Sequence, residues 1–150
     1  MKVIDLDHPD AAHAVGRPLP EPDNTSAPFW SSAAEGALLF QRCPSCGHAQ
    51  FYPRPLCIRC AGPTEWAEAS GEGSVHTFTV IRQNLAPPFG DLGPYVVAMI
   101  DLVEGVRMMS NVTHVDPADV RVGLAVTAYS VKVRADLGLP FWRPATGRQG

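Results

Sequence analysis

From Ser74 onward, short apolar and β-branched runs recur between turn residues, a pattern that suits strands rather than long helices. It predicts five strands: Ser74 to Arg82, Tyr95 to Leu102, Val106 to Val112, Leu124 to Val133, and Leu139 to Trp142. Glu104-Gly105 suits a tight hairpin between the second and third. Between the third and fourth, Asp116-Pro117-Ala118-Asp119-Val120-Arg121 suits one helical turn opened by an Asp cap and closed near Gly123. Three strands, a short helix and two strands is the order of an OB-fold barrel, although strand counting leaves other small barrels open.

The first half reads differently. Phe29, Trp30, Ala33, Ala34 and Ala37 fall on one face of a short helix, with Thr25 or Ser26 as its cap, Pro28 in its first turn and Gly36 at its end. Leu38 to Arg42 and Gln50 to Arg54 read as strands on either side of a cysteine pair, and Thr64 to Ala67 leads to the turn Gly71-Glu72-Gly73. Before the helix, Pro9, Pro18, Pro20 and Pro22 punctuate a stretch without apolar period, which predicts an extended leader. The expected organisation is therefore mainly β: an extended proline-rich leader over 1–27, a short helix over 28–37, a cysteine-bearing ribbon over 38–70, a barrel over 71–143 and a tail over 144–150.

Composition narrows the class. The 150 residues are 45% hydrophobic and 18% charged, and 15 prolines with 13 glycines argue against an all-helical bundle. The apolar run Tyr95 to Ile100 falls far short of the ~20 residues that cross a bilayer, and Met1 to Val15 lacks an apolar signal core, so a cytoplasmic location is expected. The net charge is −3, yet residues 41–60 hold Arg42, Arg54 and Arg59 and no acid. The basicity coincides with the cysteines.

All four cysteines lie in Cys43-Pro44-Ser45-Cys46-Gly47 and Cys57-Ile58-Arg59-Cys60-Ala61-Gly62, spaced C-x2-C-x10-C-x2-C. Two such knuckles place four sulfurs at tetrahedral corners about 2.3 Å from a zinc ion. Gly47 and Gly62 are expected to let the backbone curl around sulfur, and the nearby arginines to offset the −2 charge of a tetrathiolate zinc centre. Two disulfides, a redox dithiol and an iron site are the alternatives, and iron has the same ligand set. A closed four-thiolate shell keeps no open position, so the metal is expected to be structural.

Other chemistry is sparse. His8, His13, His76 and His114 are widely separated, Asp101 and Glu104 flank a turn, and Gly71-Glu72-Gly73 is too short to cradle a phosphate. No cysteine remains as a nucleophile, and no independent catalytic centre is legible.

From Pro28 onward the chain resembles the family catalogued as domain of unknown function 35. The matching stretches are Pro28-Phe29-Trp30, Leu39 to Gly47, Tyr52-Pro53-Arg54-Pro55-Leu56-Cys57, Trp66, Ser70 to Val75, Pro94-Tyr95-Val96-Val97, Leu102 to Arg107, Val122-Gly123 and Leu139-Pro140-Phe141. The resemblance implies an N-terminal helical segment, a rubredoxin-like zinc ribbon and a C-terminal five-stranded OB-fold barrel. It further implies a non-catalytic accessory subunit that shares acyl-CoA with a thiolase-like enzyme (thiolase, acyltransferase or retro-aldol lyase) or a hot-dog hydratase. Lipid or sterol side-chain metabolism is the implied setting.

Arginine suits the coenzyme's phosphates and aromatic faces suit its ring and acyl group, which makes Arg54, Arg82, Arg143 and Tyr95 the candidate acyl-CoA contacts. Phe29, Trp30, Phe89, Phe141 and Trp142 are the candidate partner interface. The rival class is a single-stranded nucleic-acid module, since zinc ribbons and OB barrels both serve that role. With only Lys2 and Lys132 as lysines and a barrel segment that is net acidic, the chain is poorly made for a phosphate backbone. An autonomous enzyme and an electron-transfer iron protein are the remaining readings.

Overall fold

The computed structural model describes residues 1–146. Along the chain, β1 (Lys2–Asp5) and a 3-10 turn (Pro9–Ala11) precede α1 (Ala27–Ala34). Then come β2 (Leu38–Arg42), β3 (Ala49–Gln50) and β4 (Glu65–Ala69), followed by β5 (Glu72–Ile81), β6 (Tyr95–Leu102), β7 (Arg107–Val112), β8 (Ala125–Arg134) and β9 (Leu137–Pro144). The last four residues of the expected tail, 147–150, lie outside the described residues.

Strands β5 to β9 close into the five-stranded OB-fold barrel that the strand order predicts. β5, β6 and β7 form an antiparallel meander, β8 pairs with both β5 and β9, and β9 meets β7 in parallel at Val112 and Trp142. Burial alternates at every residue of β6, as a strand with one core face requires. The turn between β7 and β8 is a 3-10 turn over Pro117–Asp119, where Asp116 accepts a hydrogen bond from the Ala118 amide.

The leader departs most from expectation. Lys2–Asp5 runs parallel to Tyr129–Lys132 of β8, along the edge that β5 leaves after pairing with Ala125–Thr127. Val126 and Ala128 of β8 point into the barrel, while Tyr129 and Val131 face outward under Ile4, Ala11 and Ala14 of the leader. On β9, Trp142 faces inward and Leu139 and Phe141 face outward into the same leader core. The leader is thus a second layer over the β8–β9 hairpin. Three of the expected interface residues, Phe29, Phe141 and Trp142, are 3%, 1% and 0% exposed, because each belongs to one of these two cores.

Helix α1 starts at Ser26 as expected, but the Ser26 hydroxyl does not cap it. Asp23 does the local work, accepting from the Ser26 amide at 2.7 Å and the Thr25 amide at 3.0 Å. The helix ends at Ala34, and just beyond its cap Gly36 turns the chain with a positive φ of 94°, costly for a side-chain-bearing residue, while its carbonyl accepts from the Met1 ammonium at 2.6 Å. Phe29, Ala33 and Ala34 form its buried face. That face rests on β9 at Gly138, where an added Cβ would sit 2.3 Å from the Ala34 nitrogen and 2.4 Å from the Ala33 carbonyl carbon. Two backbones meet there with no room for a methyl group.

The ribbon is a three-stranded sheet in the order β3-β2-β4. Of the strand expected over Gln50 to Arg54, only Gln50 pairs with β2, together with the preceding Ala49. Pro53 and Pro55 have no amide to donate, and buried side-chain amides replace the missing ladder. Gln41 Nε2 donates to the Arg54 carbonyl at 3.0 Å and Gln41 Oε1 accepts from the Arg54 amide at 2.8 Å. Gln50 donates to Gln41 Oε1 at 2.8 Å and to the Leu56 carbonyl at 3.2 Å, and accepts from the Ile58 amide at 2.9 Å.

The α1–β9 contact yields a direct expectation. Gly138→Ala should lower the unfolding free energy by about 2 kcal/mol or more, because overpacking here displaces backbone rather than a flexible side chain. Equilibrium urea unfolding followed by tryptophan fluorescence measures it. Wild-type stability for this variant would mean that α1 is not seated on β9 as described.

Candidate metal centre and cleft

The two knuckles are near copies of one another. Cys43 N donates to His48 O at 2.9 Å and Gly47 N to Cys43 O at 2.8 Å; in the second knuckle Cys57 N donates to Gly62 O at 2.8 Å and Ala61 N to Cys57 O at 2.9 Å. The correspondence corrects the role expected of Gly62. Gly47, with φ of 71°, is matched by Ala61, with φ of 59°, so the left-handed residue of the second knuckle is an alanine. Gly62 matters for space instead: a Cβ there would lie 3.3 Å from Cys60 Sγ and 3.7 Å from Cys43 Sγ.

The sulfurs of Cys43, Cys46, Cys57 and Cys60 all lie within 4.8 Å of one another. Cys43 and Cys60 are 3.5 Å apart and Cys46 and Cys57 3.7 Å apart, against the ~3.8 Å edge of a regular tetrahedron with 2.3 Å metal–sulfur bonds. The residues therefore fit a tetrahedral metal ion. The Cys46 amide stabilises the Cys43 thiolate and, against opposing burial, the Cys43 pKa falls to about 6. Cys43 and Cys57 are buried and Cys46 and Cys60 exposed, so a bound ion would lie at the surface end of the ribbon. Arg42 donates to the Gly47 carbonyl at 3.3 Å, beside the first knuckle, whereas Arg54 and Arg59 are exposed.

A cleft of about 740 Å³ opens where leader, helix, ribbon and barrel meet. α1 supplies Phe29 and Trp30, the ribbon Phe51, Tyr52 and Pro53, the barrel Tyr95, Val97, Met108 and Met109, and β9 Leu139 to Phe141. The rings form two sets. Trp30, Phe29, Phe51 and Tyr52 follow one another with centroids 4.8–5.3 Å apart, and Phe89 packs on Tyr95 at 5.8 Å. Asn84 Nδ2 donates to the Tyr95 hydroxyl at 3.0 Å, tying the loop that carries Phe89 to the barrel.

Of the residues expected to touch acyl-CoA, Tyr95 lines this cleft. Arg54 follows the cleft residue Pro53 in the chain, and Arg82 follows Ile81, the register partner of Tyr95; both are exposed. Arg143 is elsewhere, its guanidinium 5.7 Å from the centre of the Tyr129 ring. Of the expected interface residues, Phe29, Trp30, Phe89 and Phe141 line the cleft and Trp142 does not. Sequence reading missed Arg17, which the leader brings into the cleft, along with Gln41, Gln50 and Gly138. The two glutamines carry no motif, and the other two act on residues distant in sequence.

Two further polar clusters serve the fold. Asp10 meets His114 at 3.1 Å, and His114 reaches the Tyr129 hydroxyl through Thr113 at 2.7 and 2.8 Å; the His114 hydrogen bond holds the Asp10 carboxyl below its usual range. Asp101, Arg107 and His76 form an exposed group at the β6–β7 hairpin. Neither lines the cleft.

Comparison with known proteins places the chain. Residues 30–65 match the family described as ChsH2, rubredoxin-like zinc ribbon domain, and residues 66–130 match ChsH2, C-terminal OB-fold domain. A DUF35 domain-containing scaffold protein of Methanocaldococcus jannaschii is 36% identical over 66% of this chain and 71% of its own length. The chain belongs to the DUF35 family. A solved structure titled Ltp2-ChsH2(DUF35) aldolase superposes with a TM-score of 0.76 at 30% identity, covering 85% of this chain and all of that one. A probable enoyl-CoA hydratase alpha subunit of Thermomonospora curvata is 32% identical over 89% of this chain, and a 3-oxo-4,17-pregnadiene-20-carboxyl-CoA hydratase alpha subunit of Mycobacterium tuberculosis is 32% identical over 83%. This DUF35 chain spans only 41% and 39% of those two subunits.

The metal set makes a sharp expectation. Purified protein should carry one metal ion per chain by elemental analysis, and Cys57→Ser should lose the ion together with ribbon order, because binding and local folding are one equilibrium. Folded protein without metal would overturn the assignment. Ala61→Gly should raise thermal stability, by about 1 kcal/mol, since glycine occupies the left-handed region without the Cβ clash. A fall in stability would show that Ala61 does not hold that conformation.

Proposed function

We propose that the chain is a non-catalytic accessory subunit of an assembly that processes acyl-CoA thioesters, with the cleft receiving the acyl group beside the partner. The observation that carries this reading is the cleft itself. It is apolar and aromatic, and of a size that suits a small molecule. The chain's four cysteines bring their sulfurs within 4.8 Å of one another, and a metal that took all four would keep no open position for a substrate. The ion is zinc, with a structural role. Relatives named as hydratase alpha subunits, scaffold proteins and an aldolase component support assembly with an enzyme. In this reading that enzyme is thiolase-like or of the hot-dog hydratase class and works in lipid or sterol side-chain metabolism.

The partner supplies the reacting groups and covers the mouth of the cleft, where Trp30 and Phe89 present half-buried rings. Arg54 and Arg82, exposed and adjacent in sequence to the cleft or its register partner, are placed to meet the coenzyme's phosphates. Arg143 has no such placement and is not retained. No helix among the described residues is long and apolar enough to cross a membrane, and a cytoplasmic complex fits that. The nucleic-acid reading finds less support: among the described residues Arg17 is the one basic residue lining the cleft, where a single strand needs a positive groove.

The test is reconstitution. The chain alone should show no turnover of acyl-CoA substrates, and mixing with a thiolase-like or hot-dog partner should restore it. Trp30→Ala and Phe89→Ala should each weaken assembly by about 1 to 3 kcal/mol in a titration against that partner. Turnover by the isolated chain that a single substitution within it abolishes would contradict the accessory role.

A further inference from the structure

The cleft holds one cation that its apolar surroundings do not explain. Arg17 enters from the leader, half-buried, with its Cζ 5.5 Å from the centre of the Phe89 ring and 5.6 Å from that of Phe141. One of its nitrogens, Nη1, donates to Asn111 Oδ1 at 3.1 Å and to the His13 carbonyl at 3.3 Å. Among the described residues its Nε and Nη2 have no acceptor, and no carboxylate lies within 4.0 Å of the guanidinium. Glu21 lines the cleft as well, exposed and beyond that distance.

The guanidinium is also held in place. Asn111 is buried in β7 and donates through Nδ2 to the Val96 carbonyl at 2.9 Å, so its amide is oriented with Oδ1 toward Arg17. The Phe89 and Phe141 rings both lie against the guanidinium. A cation partly stripped of water gains from ring faces and neutral oxygens, but less than from an anion, and burial indeed lowers the Arg17 pKa. The unused edge of the fork, with Nε and Nη2 side by side, matches the two oxygens of a carboxylate.

We propose that Arg17 anchors the carboxylate of an acyl amphiphile whose apolar body fills the cleft. The ligand class is a carboxylate-ended acyl compound, either the free acid of a thioester substrate or an acyl group that carries a second carboxylate. The inference rests on the reading of the cleft as an acyl site and adds the charge and geometry of what it selects. Arg17 is a binding residue that lies before the segment matched by the ribbon and barrel families.

The experiment is calorimetric titration of the full chain with decanoate, below its micelle concentration, and with 1-decanol as the neutral chain of equal length. Wild type should bind both, decanoate about tenfold more tightly, as expected for one charge-assisted bidentate contact. Arg17→Met should remove that preference and leave decanol unchanged, and Arg17→Lys, which keeps the charge and loses the fork, should retain only part of it. Equal affinity of wild type for the two probes would overturn the role of Arg17 while sparing the acyl cleft. Binding of neither probe would overturn both. The comparison within wild type stands even if Arg17→Met fails to fold.

Discussion

The contact on which the cleft depends is the seating of α1 on β9 at Gly138, backbone against backbone. Because nothing intervenes, the helix cannot slide or rotate without losing that fit, and its Phe29 and Trp30 are delivered to a fixed place above the barrel wall. The β8–β9 hairpin that receives the helix is itself buried on both faces. Its inward residues fill the barrel and its outward residues are covered by the leader. Leader, helix and hairpin are therefore one packing problem, and the leader so seated carries Arg17 into the cleft.

The metal centre plays a different part. A ribbon of this size has little apolar core, and its proline-interrupted second half cannot complete a ladder. A metal ion on the four cysteines would hold the tips of the two knuckles, and the buried pair Gln41 and Gln50 holds the segment between them by imitating the missing backbone groups. The segment so fixed includes Phe51, Tyr52 and Pro53, which form one wall of the cleft. Metal and glutamines act at a distance from any ligand, yet they shape the surface that meets it.

Much of this was legible in the sequence, and the reasons are physical. The cysteine spacing specified the tetrahedral set, and the strands Leu38–Arg42 and Tyr95–Leu102 emerged with the boundaries expected because turn residues punctuate both ends. Strand β1 was missed because four residues carry almost no periodic signal, and its parallel partner lies more than 120 positions away. Arg17 was missed for the same reason: its acceptor Asn111 and its ring partners belong to other elements. Ala61 was passed over in favour of Gly62 because glycine is the residue expected in the left-handed region, whereas here it is the close approach of sulfur that needs the glycine. Phe141 and Trp142 look like spare aromatics until the leader is seen to cover one face and the barrel to enclose the other.

The central claim is that the cleft between α1, the ribbon and the barrel is where an acyl group lies. Photo-crosslinking tests it most directly, using an acyl-CoA that bears a diazirine at the end of its chain and mapping the modified peptides by mass spectrometry. The account predicts labels on the segments that contain Trp30, Phe89 and Met109, competed away by unlabelled acyl-CoA and less effectively by free coenzyme A, which lacks the acyl group. Labels concentrated around Tyr129 and His114, or no labelling that acyl-CoA competes, would contradict it.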